Sequence, residues 1–546
     1  MLRTTSLLVF LVALAACGGG GGGGLGQGPG GGNPSGWQQG VFDDFLTFYA
    51  QCQAPRAGNN PITGNPWPDV AGSTLDENNF LRSYTNDTYL WYDEVTDQDP
   101  GLFNDPLAYF DELKTFATSP TATGVCSRND PTNEAEHCKD KFHFTWDTDD
   151  FNQLSQSGVS AGYGVQWAFI SNVPPRELLI AYTEPNSPAT NIVPELERGA
   201  SILAIDGVDV RNGSDVDTLN AGLFPELGQT YTFTVLDLGS ATPRDVVLTA
   251  ENITSAPVQD VKEILTPTGS VGYMAFHDHI STAEQALIDA VNEMNTYDNG
   301  QGISDLVLDI RYNGGGWLDI AGELAYMIAG PVPTAGQTFD ELTFNDKHPV
   351  TDPVTGQALA PTPFHTTALG APFNGTPGQA LPTLDLPRVF VLTGPNTCSA
   401  SEAIMNGLRG VGVEVIQVGS TTCGKPYGFY PTDNCGTTYF TIQFRGANAM
   451  GFGDYSDGFS PANSSGPGED VPGCSIADDF TKQLGDQTEG RFATALAYRD
   501  GAACPAASGF APGVLSKPGG QLSAVEVVIP KSPLQTNRLM RPWQGQ

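Results

Sequence analysis

The chain has 546 residues, with 61 Asp plus Glu against 25 Lys plus Arg and a formal net charge of -36. That acid excess repels phosphate backbones and anionic headgroups, which excludes nucleic-acid binding and a polybasic attachment to membranes. With 39% hydrophobic and 10% aromatic residues the chain is globular. At roughly 100–200 residues per domain, its length predicts two to four domains.

The amino terminus reads as an export signal. Arg3 precedes an apolar run, Leu7 to Leu14, far shorter than the roughly 20 residues that span a bilayer, and small residues follow. Leu14-Ala15-Ala16-Cys17 resembles the lipobox of bacterial lipoproteins, in which the cysteine is lipidated and becomes the first mature residue. Gly18 to Gly24 then supply a flexible tether. Residues 1–17 are therefore expected to be signal and lipobox and 18–36 a glycine-rich tether. The protein is expected to be exported and held to a bacterial membrane through lipid on Cys17 alone, and Gly18 favours the outer membrane by analogy with lipoprotein sorting. Eight cysteines remain, an even number in an oxidising compartment, so disulfides are expected. No pair shows the two-to-four-residue gap of a structural zinc knuckle, and no metal is expected.

Residues 37–157 carry helical patterning: aromatic residues recur every three to four positions from Asn79-Phe80-Leu81-Arg82-Ser83-Tyr84 through Tyr89-Leu90-Trp91-Tyr92. Within 158–255 the pattern changes to short strands, Val165 to Ile170, Leu178 to Tyr182, Ser201 to Ile205, Tyr231 to Leu236 and Val246 to Leu248, separated by turns such as Asp206-Gly207. From 256 to 510 strands and helices alternate, which predicts an α/β layer. Here a helix over 281–297 opens with the capping box Ser281-x-x-Glu284, and Leu306 to Ile310 is a buried strand. The stretch from about 331 to 386, rich in Pro, Gly and Thr, reads as a long insertion or lid-like loop. Residues 511–546 form a tail.

The densest chemical signal lies between 387 and 425. A strand, Arg388 to Thr393, leads through Gly394-Pro395-Asn396-Thr397-Cys398 to Ser399-Ala400-Ser401-Glu402, which opens a helix through Leu408. A second strand, Val413 to Val418, then reaches Thr421-Thr422-Cys423-Gly424-Lys425. Ser399-x-x-Glu402 alone is a capping box. A serine at a strand-to-helix turn also sits where backbone N–H groups and the helix dipole stabilise a developing oxyanion. A serine hydroxyl needs a base within hydrogen-bond reach, and a lysine serves when burial keeps it neutral. Lys425 suits that role, because its neighbours Gly424, Pro426, Tyr427, Gly428 and Phe429 are uncharged.

These residues resemble the carboxyl-terminal processing (tail-specific) serine proteases, a Ser/Lys-dyad family with the signature Ser-Ala-Ser-Glu followed about 25 residues later by Thr-x-Gly-Lys. The resemblance implies Ser399 as nucleophile and Lys425 as general base, with Ser401 the second candidate for nucleophile. Leu306-Val307-Leu308-Asp309-Ile310-Arg311-Tyr312-Asn313-Gly314-Gly315-Gly316 is similar to the family's strand and glycine turn, which implies Gly315, or else Gly314, as an oxyanion donor beside Ala400. Many members carry Gln four residues after the lysine, where this chain has Phe429, so Thr422 or Tyr427 is left to orient Lys425 unless the dyad suffices. The family also carries a PDZ-like domain. Gly162-Tyr163-Gly164-Val165 resembles its carboxylate-binding loop, and Leu196-Glu197-Arg198-Gly199 through Asp206-Gly207 its late motif. The implied fold is multidomain α/β: a helical amino-terminal segment, a PDZ-like β-rich domain, and a catalytic domain with crotonase- and Clp-protease-like layering. The implied activity is cleavage of unfolded or tail-tagged polypeptides, recognised through a carboxylate terminus, without a metal or organic cofactor. The rival is a catalytically silent, lipid-anchored PDZ-like peptide-binding scaffold.

Three further signals carry less. Gly158-Val159-Ser160-Ala161-Gly162 matches the G-x-S-x-G elbow of α/β-hydrolases, but its flanks lack the strand before and helix after that an elbow needs. His277-Asp278-His279 offers two imidazoles without a third ligand nearby. Cys398 with Cys423 would staple the two candidate segments together, Cys423 with Cys435 competes, and Cys126 with Cys138 is a nearest-neighbour guess.

Overall fold

The computed structural model describes residues 36–61, 63–119, 125–126, 138–171, 174–507 and 538–539. The expected signal, the lipobox Cys17, nearly all of the tether and most of the tail fall outside the described residues. A six-stranded sheet organises the carboxyl-terminal half. Its order in space is Val258–Thr266, Gly269–Phe276, Asp305–Asp309, Arg388–Thr393, Glu414–Gly419 and Gly473–Ser475, the first pair antiparallel and the rest parallel. The strands are apolar on both faces because both are covered. Leu306, Leu308, Val389, Val391 and Val415 face the helices Ala283–Met294, Leu318–Ala329 and Ala400–Gly410. Val307, Phe390, Leu392, Ile416 and Val418 pack against Phe492 and Ala495 of Gly490–Arg499. The fold is thus mixed α/β, and every parallel strand empties its loop at the same sheet edge, where open α/β sheets place their ligands.

A second sheet runs Arg244–Thr249, Thr230–Leu236, Ser201–Ile205, Glu177–Thr183 and Val165–Ser171 in spatial order. All five strands lie where the alternation predicts them, each within two residues of the expected ends. The helix Val216–Leu223 closes one side with Leu219 and Leu223. The amino-terminal segment places its helix at Thr74–Thr88, capped by Ser73, with Phe80, Leu81 and Tyr84 on the buried side. The periodicity extends to Tyr92, but the helix stops at Thr88 because Leu90 N–H donates to Ile442 O at 2.8 Å, a bond to a distant segment. Two further links bind this segment to the α/β body. Cys52 is disulfide-bonded to Cys435. Strand Phe144–Asp147 completes a three-stranded sheet with Thr437–Phe440 and Thr432–Asn434.

Two local expectations fail for tertiary reasons. The helix expected from Ser281 starts at Ala283, and Glu284 caps nothing. Its buried carboxylate instead accepts the main-chain N–H groups of Leu369, Gly370 and Gly375, tying down a distant loop. The 331–386 stretch is a packed part of the body and no lid. It carries the strand Thr338–Thr343 paired with Phe444–Ala447, and Phe339, Phe364 and Phe373 are buried in the main core. Phe339 also explains a glycine in mid-helix. A Cβ on Gly407 would come 2.5 Å from the Phe339 ring, so the roughly 1 kcal/mol that glycine costs a helix is offset by that packing.

Candidate active site

Four loops meet at the carboxyl edge of the central sheet: 277–282 after Phe276, 310–316 after Asp309, 394–399 after Thr393, and 420–426 after Gly419. Ser399 ends the third. Its backbone has φ 60 and ψ -114, left-handed territory that a residue with a Cβ adopts only under constraint, at a cost of order 1–3 kcal/mol. The residue is fully buried and its Oγ has no hydrogen-bond partner. Ala400 is the first residue of the helix that follows, and first-turn N–H groups have no partner within their own helix. Ser401, the second candidate, is occupied: its Oγ donates to Asn313 O at 3.0 Å.

Lys425 is also fully buried. Its Nζ lies 4.1 Å from the centre of the Phe429 ring and 4.9 Å from that of Phe142. Phe429 therefore touches the lysine directly from the position where the family resemblance leads one to expect Gln. Tyr427 packs edge-on against Trp91, and Thr422 turns its hydroxyl onto Glu402.

The two segments are fixed to each other. Cys398 and Cys423 form a disulfide, whereas the alternative of Cys423 with Cys435 is not made. Cys126–Cys138 and Cys474–Cys504 complete the set. Glu402 Oε2 accepts the N–H of Ser399 and the N–H of Lys425, both at 2.9 Å. Those two nitrogens are therefore separated by no more than two hydrogen-bond lengths. Burial pushes the Glu402 carboxyl above the usual range, against the opposing pull of Thr422 and the main-chain donors of Lys425, Gly424 and Ser399. Among the described residues one cluster has metal-type donors close together, Cys398, Glu402 and Cys423, and its two sulfurs are joined to each other.

The glycine turn lies beside Ser399. Asn313 O accepts Cys398 N–H at 3.2 Å as well as the Ser401 hydroxyl. Gly315 has φ 104 and Gly316 φ 136, which only glycine adopts easily, and a Cβ on Gly316 would come 2.5 Å from His279 O. The Gly315 N–H donates to Asn313 Oδ1 at 2.9 Å. The same oxygen faces His279 Nδ1 at 3.0 Å, while Asn313 Nδ2 donates to Phe276 O. That arrangement makes Nδ1 the protonated nitrogen of His279. Burial drives this imidazole down to about 3 and His277 to about 4, so both are neutral. His277 stacks on Tyr182 of the second sheet with ring centres 4.0 Å apart, so the two imidazoles serve different neighbours.

The second sheet and the separate strand pair of Val159–Gly162 with Glu251–Thr254 contribute their own candidates. Gly162 ends the strand Val159–Gly162, Tyr163 is buried, Gly164 has φ 74, and Val165 begins the strand at the end of the second sheet, which among the described residues pairs only with Glu177–Thr183. Ser160 is in mid-strand opposite Ile253, so no nucleophile elbow forms there. Arg198 is buried and aims at the α/β body, donating to Tyr312 Oη and to Asp478, both at 2.6 Å. Arg311 Nη1 donates to the same Asp478 oxygen at 2.7 Å and to Glu489 at 2.8 Å. Burial alone would raise the Asp478 carboxyl, but the guanidinium groups of Arg491, Arg198 and Arg311 outweigh it and hold it well below the carboxylate range.

Sequence reading missed three contributors: Asn313, Phe142 and the reach of Glu402 beyond its own helix. Asn313 had a signal in its place before three glycines. Phe142 had none, because it arrives from a remote part of the chain.

The fold and this site define an α/β protein with a strained, buried serine at a strand-to-helix turn and a buried lysine on the adjoining loop. Residues 270–429 match peptidase family S41, and residues 76–124 match the peptidase S41 N-terminal domain. Together these matches cover less than half of the chain, and over them the chain is similar to peptidase family S41. A carboxyl-terminal-processing protease of Synechocystis is 27% identical over 175 residues, 32% of this chain and 38% of the relative, so the match spans well under half of that protein. A solved S41 protease structure from Bacteroides fragilis has a TM-score of 0.54 at 21% identity, covering 80% of this chain and 99% of the other, which shows the fold.

Proposed function

We propose that the protein is an exported, lipid-anchored serine endopeptidase of the carboxyl-terminal processing type, acting on unfolded or tail-tagged polypeptides through Ser399 and Lys425. One observation carries the reading: Ser399 has a buried, unpartnered hydroxyl, and its main-chain N–H shares the Glu402 carboxylate with that of Lys425, inside the segment that matches peptidase family S41. In this mechanism Ser399 Oγ attacks the scissile carbonyl carbon as its proton passes to the neutral amine of Lys425. The tetrahedral oxyanion takes the Ala400 N–H, and the Gly315 N–H exchanges Asn313 Oδ1 for it. Collapse expels the amine product with the proton from Lys425, and water then releases the acyl group from Ser399. The second sheet acts as a PDZ-like module. Gly162-Tyr163-Gly164-Val165 receives the substrate's terminal carboxylate, and the edge strand from Val165 adds the substrate as a further strand.

The test is digestion of casein by the purified protein. Ser399→Ala and Lys425→Ala are each expected to abolish cleavage with the fold intact; full activity in either variant overturns the dyad. Labelling with a fluorophosphonate followed by peptide mapping is expected to find Ser399. The scaffold reading is favoured by the Gly315 N–H being satisfied internally and by Phe429 beside Lys425. It requires casein to survive intact while the second sheet still binds peptides ending in a free carboxylate.

A further inference from the structure

Glu402 lies in the first turn of the helix that Ser399 opens, with no exposed surface. A capping role accounts for one of its contacts, the N–H of Ser399 on Oε2. Three others come from the loop that ends at Lys425. Oε2 accepts Lys425 N–H, and Oε1 accepts Gly424 N–H at 2.9 Å and the Thr422 hydroxyl. A carboxylate only accepts, with about four lone-pair sites, and four donors from two separate segments fill them. Thr422 extends the hold to a third segment, since its Oγ1 accepts Phe459 N–H at 2.7 Å.

We propose that Glu402, as a carboxylate, is the positioning residue that sets the separation of Ser399 from Lys425 by binding the main chain of both. The proposal rests on the reading of those two residues as the reacting pair, and Glu402 itself touches neither substrate nor proton. The Cys398–Cys423 disulfide joins the same two segments covalently and keeps them together. One main-chain bond, Cys423 N–H to Thr397 O at 3.0 Å, also joins them, but it falls two residues short of both Ser399 and Lys425, whose own N–H groups are held by Glu402. An amide cannot replace the carboxylate. One of its two ends is a donor and would point at N–H groups that also donate.

The experiment uses the full-length chain with Glu402→Gln, Glu402→Asp and the milder Thr422→Val, read by kinetics and by amide hydrogen exchange. Because a displacement near 1 Å costs on the order of 100-fold in rate, kcat is expected to fall about 100-fold in Glu402→Gln with KM little changed. Glu402→Asp, one methylene short, is expected not to rescue it. The amides of Ser399, Gly424 and Lys425 are expected to lose protection together, while those of the strand Glu414–Gly419 keep theirs. Loss of protection at Ser399 alone, or an unchanged kcat, overturns the proposal and reduces Glu402 to a helix cap. If Glu402→Gln fails to fold, Thr422→Val decides. A several-fold fall in kcat with faster exchange at Gly424 and Lys425 supports the proposal, and wild-type behaviour in both measurements overturns it. Should the wild-type protein cleave nothing, the peptidase reading fails, and the exchange data still decide whether one carboxylate holds both segments.

Discussion

The two turns that leave neighbouring central strands, 310–316 after Asp305–Asp309 and 394–399 after Arg388–Thr393, have opposite characters. In the first, the polar groups are matched. Asn313 joins Phe276 O, Gly315 N–H and His279, and Arg311 is shared among Asp309, Asp478 and Glu489. In the second, a serine with a Cβ is held at positive φ and its hydroxyl is buried without a partner. Such strain persists only where the surroundings over-determine it. Here the surroundings include the first turn itself, because Asn313 O takes the N–H of Cys398 and the hydroxyl of Ser401 on either side of Ser399. A satisfied turn is what allows its neighbour to stay unsatisfied.

The sharpest way to break this contrast is Ser399→Ala. Cleavage is expected to fall by about 10⁴-fold or more, with the melting temperature unchanged or slightly raised, because no hydrogen bond is lost. A large drop in melting temperature would show that the hydroxyl is structural. Asp478→Asn attacks the satisfied side at its base. Removing one partner from a buried ion cluster costs about 3–5 kcal/mol, so a clear fall in denaturant midpoint is expected, and a midpoint at the wild-type value would remove the cluster from the account. Asn313→Ala comes next. It strands the Gly315 N–H and Phe276 O, each costing about 1–3 kcal/mol when buried, and should lower stability and activity together, whereas Ser399→Ala lowers activity alone.

Acid provides a graded version of the same comparison. His277 and His279, held at about 4 and about 3, are depressed from 6.5, so the unfolded chain takes up protons first and stability falls as pH drops below about 6.5. The Asp478 carboxyl is depressed from 3.8, so its contribution is intact above that value and is lost as pH falls below it. Burial pushes Asp278, between the two imidazoles, up to about 8, so the folded chain takes up that proton first and offsets part of their loss. The direct check is therefore NMR titration of the two rings, which are expected to stay neutral down to about pH 5; a midpoint near 6.5 in either would contradict the neutral buried imidazoles. The smallest effect is expected from Ser160→Ala. This exposed mid-strand residue should change stability by no more than about 0.5 kcal/mol and leave activity as it was. Loss of activity there would move the chemistry to the strand Val159–Gly162.

Much of the fold was legible because it rests on short-range patterns. The strand Ser201–Ile205 is found at its expected ends, as is Arg388–Thr393, since alternation and turn residues specify where a strand begins and stops. Ser399, Lys425 and the glycine turn were legible as a constellation of residue types at fixed spacing. Ser281-x-x-Glu284 was misread because a capping box and a long-range anchor have the same letters. Glu284 had three better donors in the 369–375 loop, and no local pattern announces them.

The sequence by itself determined the α/β alternation, the acidic surface, an even set of cysteines beyond Cys17, and which serine and lysine stand at strand ends. Only the tertiary structure decided that Cys423 pairs with Cys398, that Phe142 comes to lie beside Lys425, and that one carboxylate gathers the main chain of two segments. The physical reason is range: periodicity and turn chemistry act over a few residues, whereas buried donors and acceptors are matched by whichever partner packing brings within about 3 Å, however remote it is along the chain.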